Sequence, residues 1–330
     1  MTGIAIVGQG YMGRTHASAW TRLGHGGDIR YVQAPGQRGW TDLAPAARFV
    51  TDLDEVLRDP TVDVVSICTP TPTHADIAVR ALDAGKHVLL EKPIALTLAD
   101  ADRIRAAADR SRQVLMVAQV VRFFAGYREL RRIAGSGELG QVTAVRASRT
   151  LATPTWADWW ADESQSGGVP VDFSVHDFDQ TDLFLGDPVA VTATRTAPDA
   201  PMETLVEYAD GGLGQVLSHA HLPAGSGFSS ALELVGTRGL ASYRLVSAAP
   251  TDSAEESAEG ISELVVSTPD GVRRKHVPDD DPYLREVEYF ARCVAAGEQP
   301  LLSPTESAVT ALRVSLAARE SLARHARVAL

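Results

Sequence analysis

The unbroken apolar run Ile4-Ala5-Ile6-Val7 passes directly into Gly8-Gln9-Gly10-Tyr11-Met12-Gly13, after which a helical pattern holds from about Met12 to Leu23. A strand, a G-x-G-x-x-G turn and a helix in immediate succession leave few folds open. The first glycine makes the tight turn, the second lets the backbone approach a pyrophosphate, and the third packs helix against strand. The helix N-terminus then presents N–H groups to the phosphates. The alternation continues with apolar strands at Ile29–Gln33, Val62–Thr69, His87–Leu90 and Val114–Val120, and with helical patterns over Leu53–Leu57, His74–Ala84 and Leu98–Ser111. This rhythm predicts an α/β, Rossmann-like, doubly wound parallel sheet for residues 1–121.

Beyond about Arg122 the extended segments alternate polar and apolar residues more strictly, at Val142–Arg149, Val189–Thr196, Thr204–Tyr208, Gly214–His221, Ala231–Val235, Leu240–Leu245 and Leu264–Thr268. Short turns such as Asp210-Gly211-Gly212 join some of them. Residues 122–330 are therefore expected to form an α+β C-terminal domain with a large, mostly antiparallel open sheet. Helices are expected over about Tyr283–Ala296 and Pro304–His325, the last free to pack back on the first domain. Thr251–Glu263, acidic and rich in Ser and Ala, reads as a solvated hairpin loop.

With 45% hydrophobic and 22% charged residues in 330, the chain has the composition of a soluble globular protein with room for two cores. A net charge of −11, without a Lys/Arg run that could neutralise consecutive phosphates, speaks against nucleic acid as a partner. No stretch of about 18 apolar residues is present to span a membrane, and the N-terminus enters a strand without a basic or cleavable apolar segment. The two cysteines, Cys68 and Cys293, both fall in apolar patterns. A cytoplasmic protein without disulfides is expected.

Open α/β sheets bind ligands at the C-terminal ends of their strands. Two such ends carry polar loops, Cys68-Thr69-Pro70-Thr71-Pro72-Thr73-His74 and, after the apolar Val88–Leu90, Glu91-Lys92-Pro93. The prolines stiffen these loops, and the hydroxyls can cap the helix that follows the first. The second strand, by contrast, ends without the Asp or Glu that would hold an adenosine ribose 2′-hydroxyl. Gln33 can hydrogen-bond a ribose hydroxyl, while Arg38 either faces a 2′-phosphate or is a solvated loop arginine. The choice between NAD and NADP stays open.

After Gly167-Gly168 comes Asp172-Phe173-Ser174-Val175-His176-Asp177-Phe178-Asp179, with Pro170 tolerable in a first helical turn. On a regular helix, spacings of four and three put Asp172, His176 and Asp179 on one face beside a stripe of Val171, Val175 and Phe178. Such a row suits an alcohol oxidation, in which a base titrating near neutral pH must take the hydroxyl proton. It also suits an ordinary acidic helix N-terminus with a core histidine. Trp156, Trp159 and Trp160 offer flat faces for the C–H side of a sugar ring, or core packing. His219 and His221 share a strand face that fits a pocket wall or a subunit interface. Nine histidines without an H-x-x-x-H pair or adjacent cysteines give no metal site.

Taken in order, the Gly8–Gly13 loop with His16, the Thr69-Pro70-Thr71 and His74 loop, Ala84-Gly85-Lys86-His87-Val88 leading to Glu91-Lys92-Pro93, Val121-Arg122-Phe123, Gly167-Gly168, and Asp172 with His176 make the chain similar to the glucose-fructose oxidoreductase / inositol dehydrogenase / rhizopine catabolism (Gfo/Idh/MocA) family. The resemblance extends through the closing Leu312–Ser321 helical pattern. It implies an NAD(P)-dependent dehydrogenase acting on a secondary hydroxyl of a sugar, inositol or related polyol, or reducing the matching ketone. His176 would be the base, Asp172 its neighbour and a substrate contact, and Lys92 the group bonded to the reacting oxygen. Expected cofactor contacts are Gly8, Gly10, Tyr11, Met12, Gly13, Gln33, Arg38, Thr69, Pro70, Thr71, His74, Glu91, Lys92 and Gln119. Expected substrate contacts are Arg122, Trp156, Trp160, Asp172 and His176. A homodimer or homotetramer through the C-terminal sheet is implied as well. Two alternatives share the fold: an NAD-dependent glycoside hydrolase that oxidises its substrate transiently, and a non-catalytic nicotinamide-binding regulatory protein.

Overall fold

A computed structural model describes residues 3–36, 40, 43–154, 158–247, 260–278 and 280–330. Among these, six short strands form one parallel sheet: β1 (Ile4–Val7), β2 (Ile29–Gln33), β3 (Arg48–Val50), β4 (Val64–Ile67), β5 (His87–Glu91) and β6 (Leu115–Ala118), in the order β3-β2-β1-β4-β5-β6. Every residue of β1, β4 and β6 is buried. Helices covering both faces of a parallel sheet produce such uniformly apolar strands. The order reverses between β1 and β4, so the loops leaving these two strands part and open a crevice at the sheet's C-terminal edge.

Some boundaries differ from the sequence reading. The Leu98–Ser111 helix is found as expected, its start fixed by the Thr97 side chain accepting from Asp100 N. The first helix stops at Trp20 rather than about Leu23. A widened turn, Thr21–His25, follows it and contains Gly24 at φ 87°. The strand expected over Val114–Val120 ends at Ala118, where Gln119 N–H turns back to Val117 O at 2.9 Å and a short 3-10 turn over Val120–Phe123 takes over. β3 carries no sequence signal, being three residues long with one exposed.

The chain divides into two compact units, Met1–Phe123 with Asp281–Val309 and Phe124–Asp280 with Thr310–Leu330. Sequence patterning groups residues 281–309 with the second domain, whereas they cluster with the first. The reason is apolar: the Pro282–Ala296 helix contributes Val287, Phe290 and Cys293 to the core that contains Ile4, Trp20 and Met116. Trp20 and Phe290 meet edge to face with ring centroids 6.3 Å apart.

In the second unit nine strands build an open sheet: β7 (Val142–Ala152), β8 (Pro188–Thr194), β9 (Met202–Tyr208), β10 (Leu213–Leu222), β11 (Ser229–Gly236), β12 (Leu240–Val246), β13 (Ile261–Thr268), β14 (Gly271–His276) and β15 (Val328–Ala329). Their order is β14-β13-β12-β11-β7-β10-β9-β8-β15, antiparallel throughout except for the parallel pair β7 and β10. Alternate residues Gly214, Val216, Ser218 and Ala220 of β10 are buried while their neighbours are not, the mark of a sheet covered on one face. The Val175–Leu185 helix packs on that face against β7 and β10. β14 has no apolar alternation because all six of its residues are exposed, as suits an edge strand protected by charge. The Ala125–Gly135 helix is a further element without a sequence expectation. Arg38 and Trp156 lie outside the described residues, as does most of the Thr251–Glu263 loop.

Candidate active site

The first unit gathers the expected cofactor groups on the C-terminal edge of its sheet. Gly8 has φ 101°, and a Cβ there would run into the carbonyl oxygen of Cys68. One at Gly13 would run into the carbonyl of Gly8. Both positions are therefore closed by the fold itself. Gly10 is different: it is exposed, and a Cβ built on it meets nothing within 4 Å. It caps the Tyr11–Trp20 helix without a side-chain hydrogen bond, so the helix N–H groups face an open cradle of the kind a pyrophosphate takes. Tyr11, 68% exposed, and half-buried Met12 stand at its rim. Gly10→Ala is accordingly expected to leave the melting temperature of the cofactor-free protein unchanged while weakening NADH binding at least about tenfold. Calorimetric titration alongside thermal unfolding checks this, whereas Gly13→Ala should lower both stability and affinity.

The loops after β4 and β5 are locked to each other. His74 is 1% exposed, with Nδ1 2.9 Å from Pro93 O and Nε2 2.9 Å from Thr69 O. Both ring nitrogens thus face backbone carbonyls, one of them donating in the neutral ring, and His74 lies between the two loops rather than facing the crevice. Burial pulls its pKa below that of an ordinary imidazole. Thr73 Oγ1 bonds Thr69 Oγ1 at 2.7 Å, Pro70 is exposed, and Thr71 is buried. Glu91 is likewise committed: Oε1 lies 3.0 Å from His16 Nε2, and Oε2 accepts from Lys92 N at 3.1 Å. His16 Nδ1 in turn lies 3.1 Å from Ser66 Oγ. This buried chain fixes the backbone from which half-buried Lys92 projects.

Gln119, 1% exposed, has a side-chain oxygen with no hydrogen-bond partner among the described residues, a buried acceptor that suits a ligand's donor. Gln33 is half-buried and its amide donates to Thr51 O at 2.8 Å. Arg122 is 4% exposed and donates to Leu302 O at 2.9 Å, holding the Val120–Phe123 turn to the segment after the returning helix. Sequence reading misses Glu286, a fully buried acid on that helix whose oxygens have no hydrogen-bond partner among the described residues. Burial and the nearby Glu91 lift its pKa well above that of an ordinary carboxylate.

In the second unit the segment expected as one regular helix is two. Val169–Phe173 forms a wide turn in which Ser174 N–H bonds Val169 O, five residues back, at 2.9 Å, and the α-helix proper runs from Val175 to Leu185. The Ser174 hydroxyl lies 3.1 Å from Val169 O and 2.8 Å from Ser218 Oγ of β10, competing for the carbonyl that a tighter turn would use. Asp172 and His176 therefore sit on consecutive segments, not on one α-helical face. Asp172 is 9% exposed and accepts from Trp160 Nε1 at 2.8 Å; His176 is half-buried, and Asp179 is buried and accepts from Gln180 Nε2 at 3.1 Å. Next to His176, Asp177 makes a bidentate ion pair with Arg149 of β7, at 2.8 and 2.9 Å, with both side chains almost wholly buried. Burial raises the Asp177 pKa even against the pull of the guanidinium. Among the described residues no group of His, Cys, Asp and Glu is arranged to hold a metal ion, and no helix is long and apolar enough to cross a membrane.

Comparison with known proteins agrees with this arrangement. A family model described as an oxidoreductase family with an NAD-binding Rossmann fold matches residues 2–119, and one described as the GFO/IDH/MocA C-terminal domain matches residues 127–242. The scyllo-inositol 2-dehydrogenase (NAD(+)) of Bacillus subtilis (strain 168) is 28% identical over 335 residues, covering 96% of this chain and 93% of its own length. The inositol 2-dehydrogenase of Rhizobium meliloti (strain 1021) is also 28% identical, covering 98% of each chain. A crystal structure of GenD2 from gentamicin A biosynthesis, in complex with NAD, superposes with a TM-score of 0.84 at 28% identity, over 100% of this chain and 96% of that one. The two family matches, over residues 2–119 and 127–242, together with a parallel sheet that reverses its order between β1 and β4 and a one-sided open sheet packed against the Val175–Leu185 helix, place this chain in the Gfo/Idh/MocA family of oxidoreductases.

Proposed function

We propose that the protein oxidises a secondary hydroxyl of a sugar, inositol or related polyol, or reduces the matching ketone, with NAD or NADP. The observation that carries this reading is full-length similarity to enzymes named inositol 2-dehydrogenases. When bound, the dinucleotide supplies the hydride acceptor. Gly8, Gly10 and Gly13 hold its pyrophosphate, and Thr69, Thr71 and Gln119 approach it from the neighbouring strand ends. His176 takes the hydroxyl proton, since an imidazole titrates near the working pH. Lys92 hydrogen-bonds the reacting oxygen and, as a cation, favours the negative charge that gathers there. Asp172 binds a substrate hydroxyl and orients the imidazole. The reading includes a cytoplasmic homodimer or homotetramer associating through the open sheet, for which Leu205 and Leu213, 40% and 45% exposed, supply apolar surface.

The test is a parallel titration of nucleotide-free protein with NADH and NADPH, read by tryptophan-to-nicotinamide energy transfer, followed by a polyol and sugar screen with the tighter cofactor. Saturable binding and accumulation of reduced cofactor with a polyol are expected. Absence of binding to both overturns the reading.

A further inference from the structure

Asp172 is held in its own unit by a residue whose chemistry allows one bond and no other. Trp160 Nε1–H donates to Asp172 Oδ2 at 2.8 Å. An indole has a single polar hydrogen, fixed in the plane of a rigid bicycle, and no acceptor. The ring is itself supported: it lies against His221 with centroids 5.6 Å apart and planes tilted by 53°. His221 stands near the end of β10, and burial lowers its pKa, so at neutral pH it brings no charge to compete for the carboxylate. Trp160 belongs to the short Asp158–Ala161 turn, and the next turn is capped by Asp162, whose side chain accepts from Ser164 N at 2.9 Å. On the other side, Ser174 and Ser218, 2.8 Å apart, anchor the wide turn that carries Asp172. β10 thus holds this turn twice, at Ser218 through the backbone's neighbour and at His221 through the indole.

We infer that Trp160 is a positioning residue for Asp172: its N–H holds Oδ2 and fixes the plane of the carboxylate that the proposed reaction uses. The inference rests on the proposed role of Asp172 in substrate binding. It differs from the stacking role that a tryptophan beside a sugar site suggests, because a stacking ring needs its face and this one needs its edge. The two roles separate on substitution, since phenylalanine keeps an aromatic face at this place while removing the donor.

The experiment has two arms. With the indoles labelled with 15N, the Trp160 signal is assigned by its loss in Trp160→Phe, and Asp172→Asn is expected to move it upfield because the charged acceptor is gone. An unmoved signal overturns the link, and this arm needs no substrate. In the second arm, with myo-inositol and NAD as the probe pair, Trp160→Phe is expected to lower kcat/KM about ten- to a hundredfold, the range for a hydrogen bond to a charged group. In an Asp172→Asn background the same change should have no further effect. Wild-type activity of Trp160→Phe, or an equal loss in both backgrounds, overturns the positioning role and leaves ring packing. Wild-type activity of Asp172→Asn alone overturns the reading of Asp172 instead, while the indole signal still decides whether the bond exists.

Discussion

Replacing Arg149 with methionine is expected to destabilise the protein by about 3–5 kcal/mol, because it leaves a buried carboxylate without its counter-charge. Asp177 is wholly buried and its guanidinium partner nearly so, with both N–H···O bonds formed. Remove the guanidinium and Asp177 must either stay charged in a medium that cannot solvate it or bind a proton, and both states cost free energy relative to the pair. The double replacement Arg149→Met with Asp177→Leu should regain most of the loss, since an apolar pair of similar volume removes the uncompensated charge. Urea denaturation of the wild type and the two variants, followed by far-UV circular dichroism, measures the two differences. Equal destabilisation of single and double variants would mean that packing, not charge, holds this place.

Replacing His176 with alanine is expected to lower turnover by about two to four orders of magnitude, the usual effect of losing a general base. Affinity for NADH should stay nearly unchanged, because the glycine turn and the strand-end loops expected to meet the dinucleotide belong to the other compact unit. Single-turnover measurements at saturating polyol separate the chemical step from product release, and a binding titration supplies the control. Near wild-type turnover on the true substrate would remove His176 from the role of base. A variant that lost cofactor affinity in parallel would point to misfolding of the second unit instead, and the denaturation midpoint distinguishes that case.

Much of the fold is legible in the sequence because the relevant physics is local. The apolar runs of β1 and β4 and the alternation along β9 and β10 follow from burial on two faces or on one, and the helical pattern over Leu98–Ser111 is found at its expected bounds. Two strands escape because they are too short or too polar to carry a period, Arg48–Val50 and the wholly exposed Gly271–His276, whereas the Ala125–Gly135 helix carries one in Tyr127, Leu130 and Ile133 that the sequence reading passes over. The site divides in the same way. Lysine, aspartate and histidine are visible as chemistry in the right order, whereas the partners that orient them are set by distance in space. Asp177 finds Arg149 28 residues away, His74 reaches Pro93 over 19, and His16 meets Glu91 over 75. The wide turn at Val169–Phe173 is also unreadable from spacing alone, because it depends on Ser174 meeting a serine on β10.

Trp20 of the first helix packs against Phe290, and the core of the first unit is completed by a segment that begins at Asp281. On the ribosome, then, the six-stranded sheet emerges long before the helix that finishes its core, with Phe124–Asp280 of the other unit made in between. The nascent dinucleotide-binding domain must wait with its Trp20 surface uncovered, and a chain cut after Phe123 should expose that apolar patch and aggregate rather than yield a smaller working domain.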